Sequence, residues 1–331
     1  VFAVYLRVFK RIMKKDRHVK VDSFAYTMKV LIITIIPVLL STTIYNISGI
    51  IDQGIFKKVA LMQGYANDDV EVWWGVFSGK YKLMINVPIS IASAMAASAV
   101  PTLTSSFSSG DTHGVRTQIN AAMRFVMVIA FPCAVGLAVL ATPIFTLLFP
   151  STISTVGLAT NMMWVGAAAV IFYSMSTLSN GLLQGINRLK VPVVNAAIAL
   201  VVHVILLLAL MLFFRLNIYA VVIANAFFSL LMCFLNARAL AKYSGYKQEI
   251  VKTFVIPAVC SLIMGAVTFG VYEGLFALTK IVAVSLVAAM LVAVLVYAVA
   301  LLLLKGLTEE EILKFPKGTL IVKIAKKVHL L

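Results

Sequence analysis

The residues best suited to chemistry are the few ionisable side chains that interrupt long apolar stretches. Asp52 ends one such stretch and follows Asn46, Lys80 and Lys82 begin the next, and Arg124 begins a third. An ionisable residue at the centre of a membrane helix costs about 2.5–3.5 kcal/mol on insertion scales, so each position invites a functional explanation. Asp52 is the hardest of these to explain by structure alone, because glycine, isoleucine and phenylalanine surround it.

Uncharged polar residues in the same stretches form a second set of candidates. They are Asn86 and Ser90, one and two turns after Lys82, and then Asn180, Gln184, Asn195, His203, Asn225 and Asn236. A simpler interpretation exists for each set. Asparagines, and His203 alone among Val and Leu, can serve as interhelical hydrogen-bonding groups. Lys82 and Arg124 can extend to the membrane interface.

Patterns typical of catalysis or metal binding do not occur in the sequence. The three cysteines lack C-x-x-C spacing, and none of the four histidines has a second His or Cys at i+3 or i+4. Residues 75–80 lack both the length and the Ser or Thr of a phosphate loop. We therefore predict that the chain is not an enzyme and binds no metal or other cofactor.

The composition indicates the environment of the elements that must position these residues. Hydrophobic residues make up 62% and charged residues 12%, with a mean hydropathy of +1.04. Soluble proteins average about 45–50% apolar and about 25% charged residues. We therefore predict an all-α, polytopic transmembrane bundle surrounded by membrane lipids. The net charge of +16 does not require nucleic acid as a partner, because basic cytoplasmic loops account for it equally well.

Apolar windows of about 20 residues predict about eight spans. They cover residues 30–51, 83–103, 122–149, 160–183, 191–214, 218–240, 253–278 and 281–304. Placing both ends on one side puts 22 of the 28 basic residues there, which predicts cytoplasmic termini. The longest outer loop, about 56–80, then contains Asp68, Asp69 and an interfacial Trp pair.

The two ends of the chain have their own patterns. Residues 1–29 are typical of the end of a preceding span followed by a basic cytoplasmic loop, so we expect a fragment of a longer protein. Residues 308–311 form a capping-box pattern. Apolar residues at helical spacing then alternate with lysines in the 305–331 tail, which favours a basic helix on the inner leaflet, with a solvated helix as the alternative.

Two stretches carry a resemblance to a known family. Residues 79–88 read GKYKLMINVP and residues 99–111 read AVPTLTSSFSSGD. They resemble the eighth helix and following inner loop of MurJ-type lipid II flippases and stage V sporulation protein B, in the multidrug/oligosaccharidyl-lipid/polysaccharide exporter superfamily. The end of the first span at Asp52 resembles the seventh helix of that family, and residues 304–318 resemble its sporulation-type branch.

The resemblance implies an architecture and a transport function. The family fold has about fourteen helices, in two six-helix lobes and a final pair. Residues 30–240 would then be the second lobe and residues 241–304 a linker with the final pair, while the N-terminal lobe is missing. The lobes would alternate access around a cationic cavity that accepts the pyrophosphate of a lipid-linked oligosaccharide, with the lipid tails near the final pair.

Roles for the candidate residues follow from the same resemblance. Lys82 matches a basic residue of the cavity, and we place Lys80, Asn86, Ser90 and Arg124 with it as substrate-binding residues. Because Lys82 is a lysine, it offers a point charge and no bidentate grip. For a coupling cation, sodium or a proton, the candidates are Asp52, Asn46, Asn195 and Asn225.

Several functions remain open at this point. The leading interpretation is flipping of an undecaprenyl-pyrophosphate-linked cell-wall precursor in the bacterial cytoplasmic membrane, and a flippase for another lipid-linked polysaccharide is the near alternative. A cation-coupled multidrug exporter would require an acidic, aromatic cavity, whereas Lys80 and Lys82 here oppose the single Asp52. A membrane enzyme would require carboxylates or a metal motif in an inner loop.

Overall fold

A computed structural model describes residues 23–149 and 153–306, and within them the chain is a bundle of α-helices without β-strands. The predicted all-α membrane bundle is confirmed. The predictions for the first 22 residues and for the helix in the 305–331 tail lie outside the described residues, apart from Lys305 and Gly306.

Eleven α-helices and two π-helical turns make up the described part of the chain. They are α1 Phe24–Met62, α2 Asn67–Val76, a first π-turn Phe77–Tyr81, α3 Lys82–Ser108, α4 Thr112–Val139, α5 Ala141–Leu148, α6 Ile153–Gly166, α7 Ala168–Gly185, α8 Lys190–Leu212, α9 Ile218–Ser244, a second π-turn Val251–Val255, α10 Ile256–Thr279 and α11 Val282–Leu303. Helix α1 has 39 residues and is therefore about 58 Å long at 1.5 Å per residue.

Six helices of the described residues are long and apolar enough to cross a membrane, and the bent pair α6–α7 would make a seventh. These seven correspond to the predicted spans from 83–103 onward. The predicted first span, 30–51, lies within α1, whose apolar part Phe24–Leu40 is shorter than the other spans. The chain is thus a multi-pass membrane protein with six to seven candidate spans by this criterion, where the sequence predicted about eight.

Two predicted spans differ from the observed helices. The 122–149 segment is broken at Leu140, because Pro143 would clash with the carbonyl of Val139 if the helix continued. Pro143 instead lies in the first turn of α5, where proline is tolerated. The 160–183 segment bends by 56° between α6 and α7. Tyr81 donates its hydroxyl to the Gly166 carbonyl at 3.1 Å and so satisfies a backbone group at this bend.

The segment predicted as a long outer loop is largely helical. Helix α1 continues to Met62, and α2 leads through the first π-turn directly into α3. Asp68 and Asp69 lie in the first turn of α2, where the helix dipole favours negative charge. The two tryptophans pack on other aromatic rings, with Trp74 stacked on Phe56 at 6.0 Å between ring centroids, and their interfacial position stays a prediction.

The helices pack in two connected groups. Helix α7 contacts α3, α4 and α9, and α8 contacts both α1 and α9. Helices α10 and α11 pack on each other, and α10 also lies along α4. Tyr297 of α11 reaches α4 directly, because its hydroxyl donates to the Val128 carbonyl at 2.7 Å. The predicted division into a 30–240 lobe and a 241–304 final pair stays a prediction.

Candidate functional site

Asp52 is fully buried, and two helices supply its hydrogen bonds. Its Oδ1 lies 2.5 Å from Nε2 of His203 on α8, and its Oδ2 accepts from Nδ2 of Asn225 on α9 at 2.8 Å. The side chains of Asp52, His203 and Asn225 are 0%, 1% and 4% exposed. A carboxylate at this depth is therefore fully removed from water and satisfied by protein groups alone.

Further hydrogen bonds orient His203 and Asn225. Nδ1 of His203 lies 2.9 Å from the Ala224 carbonyl oxygen, so its ring cannot rotate without losing a bond. Tyr173 on α7 donates its hydroxyl to Oδ1 of Asn225 at 3.0 Å. That bond leaves the Asn225 amide nitrogen as the donor to Asp52. The network thus joins α1, α7, α8 and α9 around one carboxyl group, and we call it the Asp52 network.

Lys82 at the start of α3 lies beside this network. Its ammonium interacts electrostatically with Asp52, and it lies 5.1 Å from the centroid of the Phe77 ring. Gly49, one turn before Asp52, gives it space: a β-carbon there would be 3.6 Å from the lysine Nζ. Among the described residues, no carboxylate lies within ion-pair distance of Lys82.

Lys80 does not join Lys82, although the two are only two residues apart. Its Nζ donates to Oγ1 of Thr155 on α6 at 2.5 Å and lies 5.6 Å from the Phe149 ring centroid. Residues at i and i+2 point to different sides of a helix, which explains the separation. The structure therefore does not form the two-lysine cluster that the sequence analysis assumed.

A polar face of α3 continues from Lys82. Asn86 and Ser90 follow at intervals of four residues, and both are exposed, as is Ser93 one turn further. The outward residues of α11 are instead large and apolar, for example Leu291 at 63% exposure. Because polar side chains avoid lipid, the α3 face suits a water-filled cavity or a protein partner, whereas the α11 face suits lipid.

Arg124 lies in a different place, at the junction of α4 with the segment before α10. Its Nη2 pairs with Oε2 of Glu249 at 2.5 Å, and Asn120 donates to the same oxygen at 3.0 Å. Burial raises the pKa of Glu249. The hydrogen bonds from Asn120 and Arg124 and the positive charge of Arg124 outweigh this effect, so the pKa of Glu249 lies below its usual value. A substrate-binding role for Arg124 stays a prediction, made for a side chain that is already ion-paired.

The other predicted coupling residues lie apart from Asp52. Asn195 donates to Oδ1 of Asn236 at 2.9 Å, and Asn236 donates in turn to Asn180 at 2.8 Å. This cluster joins α7, α8 and α9 and has the character of interhelical hydrogen bonding. Asn46 is exposed on α1. Only Asn225, of the three asparagines proposed for coupling, contacts Asp52.

Sequence reasoning missed Tyr173 and Glu249 as functional candidates, and it singled out His203 without pairing it with Asp52. His203 was visible as a lone ionisable residue inside an apolar span, which is the signal that singled out Asp52. The described residues contain no group of three or more His, Cys, Asp or Glu side chains that could hold a metal ion. The Asp52 network brings a carboxyl group and an imidazole into direct contact, and these two groups can share or exchange a proton.

An apolar cavity lies between α3, α4, α5 and the pair α10–α11. Its volume is about 930 Å³. Its lining includes Val87 and Pro88 of α3, Pro132 of α4, Leu147 of α5, Met264 of α10 and Met290 of α11. The lining of this cavity is almost entirely apolar, so it offers almost nothing to a charged group.

Comparison with known proteins places this geometry in context. The family model described as lipid II flippase MurJ matches residues 80–291. The lipid II flippase MurJ of Bacillus subtilis (strain 168) is 27% identical over 228 residues, which are 68% of this chain and 41% of that protein. The chain therefore spans less than half the length of this relative.

Solved structures show the same fold. The lipid II flippase MurJ in its inward closed conformation superposes with a TM-score of 0.62 at 17% identity, over 90% of this chain and 58% of the other. A MATE crystal structure gives a TM-score of 0.50 at 14% identity, over 89% of this chain and 69% of the other. Each solved chain is longer than the part that matches.

Proposed function

This chain belongs to the MurJ family of lipid II flippases, and from that membership we propose that it is the second lobe and final helix pair of a flippase for a lipid-linked cell-wall precursor. The observation that carries the proposal is the polar face of α3, with Lys82 at one end and no carboxylate of the described residues paired to it. That face suits a cavity wall that is completed by an N-terminal lobe.

The polar face of α3 and the apolar cavity together fit the two parts of a lipid pyrophosphate, its charged headgroup and its hydrocarbon chain. A pyrophosphate entering a low-dielectric cavity must exchange hydration for fixed positive charge. Lys82 supplies such a charge, and Asn86 and Ser90 supply neutral hydrogen-bonding groups along the same face. The apolar cavity beside α10 and α11 supports binding of the isoprenoid chain, because its lining is almost entirely hydrocarbon.

Charge distribution supports the orientation and the location that we propose. With both termini in the cytoplasm, 22 of the 28 basic residues lie on the inner side of a bacterial cytoplasmic membrane. The Asp52 network and Lys82 then lie toward the outer side. We propose that a coupling cation acts at Asp52, because this is the one fully buried carboxyl group among the described residues.

Of two related functions, the multidrug exporter is less well supported. A multidrug exporter for cationic drugs would require exposed negative charge in the cavity, whereas Asp52 is buried and the exposed α3 face begins with a lysine. A flippase for a different lipid-linked polysaccharide would use the same pyrophosphate contacts. The arrangement of Lys82 and the apolar cavity fits both of these glycolipid substrates.

Substitution of Lys82 tests the proposed function. In a bacterium depleted of its own lipid II flippase, the full-length protein that carries this chain should restore growth, and Lys82→Ala should abolish that rescue. Lys82→Arg keeps the charge and should retain most of it. Removing one member of a buried charge contact typically costs about 2–5 kcal/mol, which is ample to stop transport.

Lys58→Ala is the matched control, because Lys58 is an exposed lysine on the same side of the protein. It should leave growth unchanged. Membrane levels of each variant are compared by immunoblotting. Equal rescue by Lys82→Ala and Lys58→Ala would show that Lys82 only extends to the interface, and the substrate assignment would then be wrong.

A further inference from the structure

A second cavity lies at the end of α3 that is far from Lys82, and its walls are polar as well as apolar. Its volume is about 560 Å³, within the range of about 300–1,000 Å³ that small-molecule sites occupy. Helix α1, the end of α3 and the turn between α7 and α8 surround it. Its lining includes Val38 of α1, Thr104, Phe107 and Ser108 of α3, and Gln184 and Asn187. We call this space the α1–α3 cavity.

The α3 and α7 sides of the α1–α3 cavity are packed closely on each other. A β-carbon at Gly185 would lie 3.0 Å from Cδ2 of Leu103, so the two helices touch at this level. Thr104 donates its hydroxyl to the Gly185 carbonyl at 2.9 Å. That bond commits the hydroxyl proton and leaves the oxygen as an acceptor. This wall of the cavity is therefore fixed before any ligand enters.

The turn between α7 and α8 holds Asn187 at the edge of the cavity. Asn187 has a φ of 58°, in the left-handed region, and its amide donates to the Gln184 carbonyl at 3.0 Å. The Arg188 amide donates to the Leu183 carbonyl at 2.9 Å. These two bonds form a Schellman motif, in which glycine is the usual left-handed residue. The backbone therefore does not require the side chain of Asn187.

The side-chain amides of Gln184 and Asn187 have no hydrogen-bond partner among the described residues, although both line the cavity. Each amide offers two N–H donors and one acceptor oxygen. With the hydroxyl groups of Thr104 and Ser108, they place neutral donors and acceptors around one space. None of the described lining residues is charged. The polar chemistry of the cavity is therefore that of amides and hydroxyls alone.

These groups fit an uncharged sugar better than a phosphate. A phosphate that leaves water requires positive charge, and the nearby Arg188 instead holds its guanidinium 4.4 Å from the centroid of the Tyr243 ring. Sugar hydroxyls both donate and accept, so neighbouring amides can bond them in pairs. The Phe107 ring offers an apolar surface to the C–H face of a sugar ring.

The exposed side of α3 leads from the cavity toward Lys82 and is built from small residues. From Ser93 to Ser108, every exposed residue of this helix is alanine, serine, threonine or proline. The outward residues of α11 are instead large and apolar. Small side chains leave room for a bulky headgroup to pass along α3. Thr104 follows Lys82 by 22 residues, which is about 33 Å along a helix.

We propose that the α1–α3 cavity is an entry site that binds an uncharged sugar of a lipid-linked glycan before the headgroup reaches Lys82. This inference rests on the proposed function and on the proposed orientation, in which the end of α3 faces the cytoplasm. The sugar is bonded directly to the pyrophosphate, so one headgroup cannot span about 33 Å. The cavity and Lys82 are therefore occupied one after the other.

Two lipids that differ by one sugar test this site. Undecaprenyl pyrophosphate, and the same lipid carrying one N-acetylhexosamine, are titrated separately into the purified full-length protein, in a detergent without a sugar headgroup. The wild type should bind the sugar-bearing lipid about tenfold more tightly, because two ordinary hydrogen bonds give about that factor. Gln184→Leu/Asn187→Gly removes both amides and keeps the left-handed position, so this variant should bind the two lipids equally.

Gln63→Leu/Asn67→Gly is the matched control, because it makes the same two changes at the opposite end of the helices. It should keep the wild-type preference. Equal binding of both lipids by the wild type, or a preference that survives loss of the two amides, would overturn the sugar site and leave the proposed function standing. Binding of free N-acetylhexosamine without a preference between the lipids would assign the cavity to a soluble sugar and would also overturn it. If neither lipid binds, the proposed function fails and the entry site fails with it.

Cysteine protection locates the bound sugar without removing either amide. In a full-length protein without its native cysteines, Ser108→Cys should react with a maleimide several-fold more slowly when the sugar-bearing lipid is bound. Undecaprenyl pyrophosphate should not slow this reaction. Ser109→Cys is the control, because Ser109 is exposed beside the cavity but does not line it, and its rate should not change. Equal protection of Ser108→Cys by both lipids would refute recognition of the sugar.

Discussion

At the scale of single residues, burial and position separate side chains that look alike in the sequence. Lys80 and Lys82 are two residues apart, yet one is held by Thr155 and the other faces Asp52. Sequence reasoning identified Asp52 and Asn225 as candidates because polar residues are conspicuous among apolar ones. It did not pair them with His203, since these contacts join residues separated by 151 and 173 positions and depend on how the helices pack.

Arg124 and Glu249 allow a pH prediction outside the membrane spans. The fold lowers the pKa of Glu249, so this residue stabilises the folded state above its ordinary pKa of 4.5. That contribution is lost as the pH falls through the lower, folded-state pKa. We therefore expect acidification below that range to release the segment before α10, and hydrogen exchange of residues 245–255 should then accelerate.

Glu249→Gln provides the comparison, because it removes the titrating group but keeps the shape and most of the hydrogen bonding. In this variant the exchange of residues 245–255 should be faster at neutral pH and should change little on acidification. An acid response of the same size in the variant and the wild type would assign the effect to other carboxylates.

At the scale of helices, local sequence signals predicted where helices occur but not how they meet. The break before α5 has a local cause in Pro143, but the proline rule alone could not have placed it, because Pro88 and Pro132 lie inside helices that continue. The two G-x-x-x-G pairs, at Gly181 and Gly270, are equivalent as sequence patterns. In the structure a β-carbon at Gly181 would lie 2.7 Å from that of Ala96, whereas one at Gly270 would meet nothing within 4 Å.

These two glycines give a paired prediction. Gly181→Leu should force α7 away from α3 and destabilise the protein by about 1–3 kcal/mol, as overpacking typically does. Gly270→Leu, which adds the same side chain to α10, should be close to neutral. Thermal unfolding of both purified variants in detergent measures the difference. Equal losses of stability would mean that the α3–α7 contact is not as close as described.

At the scale of the whole molecule, composition alone predicted the membrane environment, and the charge distribution predicted the orientation. Neither could show that residues 56–80 are mostly helical, because that segment is short, polar in part and shaped by packing of its tryptophans on Phe56 and Tyr65. The polar face of α3 was likewise invisible in the hydropathy average, although the spacing of Asn86 and Ser90 after Lys82 predicted part of it. Its serines are spread among alanines and become a face only when the helix is formed.

Orientation is tested by labelling single cysteines in intact cells with a membrane-impermeant maleimide, in a background without Cys133, Cys233 and Cys260. A cysteine at Asp69, exposed on α2, should react, because we place α2 outside. A cysteine at Ser109, exposed after α3, should react only after the membrane is permeabilised. The reverse pattern would invert the topology and move the Asp52 network to the cytoplasmic half.

The attachment of the final pair to α4 has a mechanical consequence. Tyr297 bonds to the backbone of Val128, and Glu249 bridges to Arg124, so α10 and α11 are fastened to this lobe at two levels. In a transporter whose two lobes rock against each other, the apolar cavity between this lobe and the pair α10–α11 would move with the lobe as a rigid body. Its width would stay constant during the movement. The α3 face, by contrast, would open and close against the opposite arm. The headgroup and the hydrocarbon tail of one lipid would then be held differently. The headgroup would lie in a space that changes its width, and the tail would lie in a cavity of constant width.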